Sequence, residues 1–321
     1  MPFVRSTALA LLAACANLRA AEPAPSPYVL KDTEVHVVHA AGLGRDYEID
    51  VALPPSYGSS PGRRYPVVFT TDAPYAFPLT RAIAARVGGH SRALPEFILV
   101  GLGYAVGDTP EFSRRRDYTP SAHGQSDARS DMPGRAPAFG EAEGYRRFVA
   151  DELFPWVAAH YRADMGRRVF AGHSYGSLWG THVLAVAPGM FSGYVLGSPS
   201  LWFDHGLPFA REKASAAGRA DLRAQVYIGV GGFETPAPRG APDAARYEAP
   251  GDVDMVGDAR AYARALASHR WPGLRLRNDV IAGEDHLTVA PVLITRGLAW
   301  ILGPETTVSG SFQQPAQGAA R

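Results

Sequence analysis

Val169-Phe170-Ala171-Gly172-His173-Ser174-Tyr175-Gly176-Ser177 is the stretch on which the reading of this chain turns. The short run Arg168 to Ala171 is apolar enough for a buried strand, and Ser177 to Ala187 has helical character, closed by Pro188-Gly189. Between them lies G-x-S-x-G, as Gly172-His173-Ser174-Tyr175-Gly176. Strand, tight turn and helix in that order form the setting of a nucleophile elbow. The serine must sit on a strained turn so that its hydroxyl projects from the carboxyl edge of a sheet. Gly172 and Gly176 remove side chains that would block the close approach of strand and helix. The backbone N–H of Tyr175, at the helix start, can then face a developing oxyanion.

Outward from the elbow the pattern repeats. Thr33 to His39 and Tyr47 to Leu53 alternate apolar and polar residues, as half-exposed strands do. Tyr65 to Thr71, Phe97 to Gly101, Gly193 to Leu196, Gln225 to Val230 and Leu274 to Ile281 are more continuously apolar and suit strands covered on both faces. Helical spacing marks Gly144 to His160, Val256 to Ser268 and Pro291 to Leu302. Strands alternating with helices predict an α/β fold with a mostly parallel central sheet and helices on both faces. Ser113 to Phe139, rich in Arg, Asp, Ser, Pro and Gly, reads as a long loop.

A serine hydroxyl needs a base. Gly283-Glu284-Asp285-His286-Leu287 follows a strand and precedes a helix near the end of the chain, which makes His286 the expected base. Serine before a late histidine is the α/β-hydrolase order. A carboxylate should hold the imidazole tautomer. Glu234, just past the strand Gln225 to Val230, is favoured, with Asp254 and Asp258 as alternatives. The second oxyanion donor should lie in Thr71-Asp72-Ala73-Pro74-Tyr75. Pro74 has no N–H, so Ala73 or Tyr75 must supply it, or the hole is built differently. No H-E-x-x-H or comparable ligand spacing occurs, so no metal is expected.

The chain has 321 residues and a formal net charge of +1, too little for a non-specific nucleic-acid binder. Its hydrophobic fraction of 46% and charged fraction of 20% are ordinary for a globular protein. The single cysteine, Cys15, allows neither an internal disulfide nor a thiolate zinc site. Arg5, the apolar run Ser6 to Ala14 and the small residues after it read as an export signal over residues 1–21. That predicts a periplasmic or secreted protein. Leu12-Ala13-Ala14-Cys15 resembles a lipoprotein box, through which Cys15 would anchor the chain to a membrane. Residues 22–27 read as a Pro-rich linker, 28–303 as the catalytic domain and 304–321 as a disordered polar tail.

The chain resembles the esterase D-like branch of the α/β-hydrolases, which includes enterochelin and ferric-siderophore esterases, feruloyl esterases and mycolyltransferases. The matching residues are Tyr65-Pro66-Val67-Val68-Phe69 with Asp72, Arg115-Arg116-Asp117-Tyr118-Thr119-Pro120, Phe148 to Trp156, Tyr161-Arg162, Ala171 to Gly176, Ser198-Pro199-Ser200-Leu201-Trp202 and Gly283-Glu284-Asp285-His286. The resemblance implies ester hydrolysis by Ser174 and His286 with no cofactor. Its substrate would be a small-molecule ester, such as a siderophore or another aromatic or anionic ester. Tyr75, Arg115, Arg116 and Trp202 are candidate substrate contacts, arginine forks being suited to oxyanions. An acyltransferase, or a non-catalytic siderophore-binding protein on the same scaffold, would carry much of the same sequence.

Overall fold

Tyr65–Thr71 (β3) is buried along its whole length, which is why its side chains show no polar alternation. It lies in the middle of an eight-stranded sheet of order β1-β2-β4-β3-β5-β6-β7-β8. The other strands are Thr33–Ala40 (β1), Arg45–Ala52 (β2), Ile98–Ala105 (β4), Ala163–His173 (β5), Gly193–Gly197 (β6), Ala224–Gly231 (β7) and Leu274–Ile281 (β8). β1 and β2 are antiparallel, β2 runs antiparallel to β4, and the rest are parallel. This is the α/β-hydrolase arrangement. The computed structural model describes residues 25–88, 93–123, 129–236 and 253–304. The chain divides into two units, residues 1–31 and 32–321. In the first, residues 25–29 are exposed and residues 25–30 lie in neither helix nor strand. The expected export signal, Cys15 and most of the polar tail lie outside the described residues.

Helices cover both faces. On one, Tyr47, Phe69, Phe148, Phe170, Trp179 and Phe191 form an almost solvent-free aromatic layer. On the other, Val68, Phe77, Val169, Tyr227, Leu293 and Leu298 pack together. Removing one such side chain from water contributes roughly 1.5–3 kcal/mol.

Three helices escape the sequence pattern. Ala73–Ile83 (α1) starts with proline in its first turn, where a missing N–H costs nothing, and carries Pro78 inside. Pro110–Tyr118 (α2) replaces the first part of the expected long loop. Thr109 caps it by accepting the Phe112 N–H at 3.3 Å. Its buried face sets the Arg116–Asp117 ion pair among Phe112, Ser113 and Tyr118, so charged residues interrupt the apolar stripe. Phe203–Ala216 (α6) contains a kink at Asp204 to Gly206 that hides its period. The stretch expected as one helix after Gly144 is Ala142–Arg147 (α3) and Phe154–His160 (α4), joined by a π-helical segment Phe148–Leu153.

The parallel strands all end at one edge. There β3 leads into Asp72, β5 into Ser174, β6 into Ser198, β7 into Glu234 and β8 into His286. Sequence-distant side chains meet at that edge.

Candidate active site

Ser174 stands between β5 and Tyr175–Val186 (α5) with φ 58° and ψ −121°. That backbone costs a non-glycine residue on the order of 1–3 kcal/mol and must be enforced by its surroundings. The Ser174 N–H donates to Gly197 O at 2.9 Å, and the Ser177 hydroxyl donates to Gly172 O at 2.7 Å. A Cβ on Gly176 would collide with Thr71 Oγ1 and come within 3.1 Å of Asp72 Oδ2. Glycine there lets the helix start press against the loop after β3.

His286 Nδ1 lies 2.6 Å from Glu234 Oε2. The carboxylate can only accept, so Nδ1 carries the proton and Nε2 is left as the acceptor. Glu234 is 1% exposed. Its Oε1 accepts from the Gly231 N–H at 2.7 Å and from the Ser198 hydroxyl at 2.6 Å. Phe233 N–H donates to Glu284 O at 3.0 Å, which joins the two loops. Asp285 fixes the turn beneath His286, its Oδ1 accepting the N–H groups of Leu287 and Thr288 at 2.9 and 2.8 Å. The alternative acid Asp254 is otherwise engaged, capping Met255–Ser268 (α7) by accepting the Gly257 N–H at 2.9 Å. Asp258 lies in the first turn of that helix, where burial raises its carboxyl and the nearby Asp254 raises it further.

Asp72 adopts the left-handed conformation, φ 58° and ψ 46°, and starts α1. Ala73 and Tyr175 are therefore each the first residue of a helix, and their N–H groups have no intrahelical acceptor. Tyr75 is different, because its N–H donates to Asp72 O at 3.1 Å. Of the two expected donors, Tyr75 is thus engaged within its own turn, whereas Ala73 is the first residue of its helix. Asp72 itself is buried, and its Oδ1 accepts from Tyr104 at 2.9 Å and Arg114 Nε at 2.7 Å. Burial pushes its carboxyl up, against the opposing pull of Arg114. His173 is held neutral by burial, well below the usual imidazole range, and its ring centre lies 4.6 Å from that of His286.

A cavity of about 560 Å3 opens at this edge, lined by Tyr75, Tyr104, Arg114, His173, Ser174, His286, Leu287 and neighbours. Another depression of about 620 Å3, between Phe154 and Met190, contains none of the expected site residues. Three candidate substrate contacts do not line the site cavity. Arg115 donates to Arg129 O at 2.7 Å. Arg116 is buried against Asp108 and Asp117. Trp202 packs against the ring of Tyr175 instead, 6.2 Å between centres. The reason for the arginines is helical: successive residues of α2 point about 100° apart, so Arg114 faces the cavity and Arg116 the core. Asp72 and Ser198 enter the sequence reading only among the residues that carry the resemblance, with no role of their own, since only folding brings them to Arg114 and Glu234. Among the described residues no group of three or more His, Cys, Asp or Glu could hold a metal ion, and no helix is long and apolar enough to cross a membrane.

The Esterase family, described as "Putative esterase", matches residues 40–251. A ferri-bacillibactin esterase, BesA, of Bacillus subtilis (strain 168) is 30% identical over 288 residues, covering 87% of this chain and 92% of its own. A siderophore triacetylfusarinine C esterase of Aspergillus fumigatus is 26% identical over 289 residues, covering 85% and 94%. Among solved structures, a BES protein from Bacillus cereus superposes with TM-score 0.71 at 23% identity, covering 87% of this chain and 99% of that one. That structural likeness speaks to the fold.

Proposed function

This chain belongs to the Esterase family and is a carboxylic ester hydrolase, and we propose that it works as a serine esterase on siderophore esters. The observation that carries the proposal is the 2.6 Å contact of His286 Nδ1 with buried Glu234, on the edge where Ser174 and His286 line one cavity.

In this reading His286 Nε2 takes the proton from Ser174 as Oγ bonds to the ester carbonyl carbon. The carbonyl electron pair moves onto oxygen, which the N–H groups of Tyr175 and Ala73 receive. Glu234 stabilises the imidazolium. Collapse of the intermediate breaks the bond to the alcohol oxygen, which leaves with the proton from His286. Water then gives a proton to His286, adds to the acyl-enzyme and releases the acid as Ser174 recovers its proton. Preorganised amides at two helix starts suit this work because they need no reorientation as charge develops.

The substrate class is supported by the names of the relatives and by the cavity's lining. Tyr75, Tyr104 and Leu287 offer aromatic and apolar contact. Arg114 is the cation closest to hand, but Asp72 already holds its Nε and Glu111 lies 3.7 Å away. Its charge is largely balanced, so aromatic contact rather than net charge would select the ligand. With residues 1–21 read as an export signal, the esterase would act outside the cytoplasm.

The test is hydrolysis of a catecholate trilactone siderophore, iron-loaded and iron-free, followed chromatographically beside short-chain p-nitrophenyl esters. Ser174→Ala, checked for folding, should lose on the order of 10⁴ to 10⁶ in rate. Equal rates in parent and variant would overturn the serine mechanism. Ester turnover with no cleavage of any trilactone would overturn the substrate.

A further inference from the structure

Ser198 is fully buried immediately after β6, with φ 39°. That region of backbone space is costly for a residue with a side chain. A glycine would sit there without strain, so the hydroxyl has something to do. Its Oγ donates to Glu234 Oε1 at 2.6 Å, while its N–H donates to Gly229 O at 2.7 Å.

The two donors on Glu234 Oε1 are not equivalent. Gly231 lies three residues before Glu234 in the same turn, so its N–H moves with the carboxylate it bonds. Ser198 comes from the neighbouring strand, 36 residues away. Its hydroxyl therefore ties the carboxylate to the frame of the sheet. The residue before it, Gly197, accepts the Ser174 N–H at 2.9 Å. Gly197 and Ser198 thus hold the backbone of the nucleophile and the carboxylate behind the base from one rigid dipeptide.

We infer that Ser198 is a positioning residue for ester hydrolysis: it orients the Glu234 carboxylate toward His286 and keeps that pair in register with Ser174. The inference rests on the reading that Ser174, His286 and Glu234 act together. A buried hydrogen bond to a charged acceptor is worth enough to predict roughly a ten- to hundredfold effect when it is removed.

The experiment is a double-mutant cycle on p-nitrophenyl butyrate hydrolysis by the full chain. Ser198→Gly removes the hydroxyl and relieves the backbone strain, so it should fold at least as well as Ser198→Ala. Thermal melts would check both. Each should lower kcat roughly ten- to a hundredfold while KM stays within about twofold. In a Glu234→Ala background, Ser198→Gly should lower kcat no further, because the carboxylate it acts through is gone. A well-folded Ser198→Gly protein with parental kcat would overturn the inference and leave the triad standing. So would an equal loss in both backgrounds. A Glu234→Ala protein with parental kcat would overturn the triad reading itself, and the positioning role with it.

Discussion

Replacing Glu234 by Gln changes almost no volume, yet it should disable the base. The parent carboxylate accepts at both oxygens: Oε1 takes the Gly231 N–H and the Ser198 hydroxyl, and Oε2 faces His286 Nδ1. An amide has one accepting oxygen and one donating nitrogen. If its oxygen stays with the two donors, its NH2 meets His286 Nδ1 and forces that nitrogen to accept. The imidazole proton then sits on Nε2, which can no longer take the proton from Ser174. If the amide flips, its NH2 faces the Gly231 N–H, donor against donor, in a site 1% exposed. A buried donor left unmatched costs about 1–3 kcal/mol, so the first arrangement wins. The wrong tautomer at a comparable site costs about 10⁴ in kcat. We therefore expect a loss of 10³- to 10⁴-fold, about 4–5.5 kcal/mol of transition-state stabilisation at 1.36 kcal/mol per decade. The assay is steady-state hydrolysis of p-nitrophenyl butyrate, with nitrogen-15 NMR of the His286 ring to read the tautomer. A variant within tenfold of parental kcat, or a ring still protonated at Nδ1, would refute the reasoning.

Two further outcomes follow from the fold. Burial, and then the neighbouring Glu48, pushes Asp50 up to about 6 from 3.8. The folded protein thus holds a proton that the unfolded chain has released, and stability falls as pH rises from about 3.8 to about 6. Asp50→Asn should therefore stabilise by about 1 kcal/mol at pH 7.5, after discounting for its partial exposure, and the gain should vanish near pH 3.5. Urea melts at both pH values check this, and an equal gain at both would contradict it. Gly176→Ala drives a methyl into Thr71 and Asp72. It should cost about 1–3 kcal/mol of stability and lower kcat more than it raises KM, because the loop it displaces carries Ala73. Denaturant melts and kinetics on the same preparation would show it, and unchanged kcat would detach that loop from the chemistry.

The sequence by itself determined what is local. The elbow is legible because G-x-S-x-G sits between the short run Arg168 to Ala171 and a helical one, and the structure ends β5 at His173 and starts α5 at Tyr175. Tyr65–Thr71 and Leu274–Ile281 were legible in extent, since turn or polar residues bracket both runs, but Leu274–Ile281 is the edge strand with Arg275 and Arg277 exposed and is not covered on both faces as expected. α2 was not, because Arg116 and Asp117 share its buried face with Phe112 and Tyr118 and break the apolar period. Nor could spacing choose among Glu234, Asp254 and Asp258. The contact of Glu234 with His286 joins positions 52 residues apart, and it exists because β7 and β8 are neighbouring parallel strands that end at the same edge. Arg114 rather than Arg116 faces the cavity because of helix phase, and Ser198 reaches Glu234 because β6 lies beside β7. A strand or a turn is written in consecutive residues. The partners of a side chain are set by which strands lie side by side, and that order is an outcome of packing the whole chain.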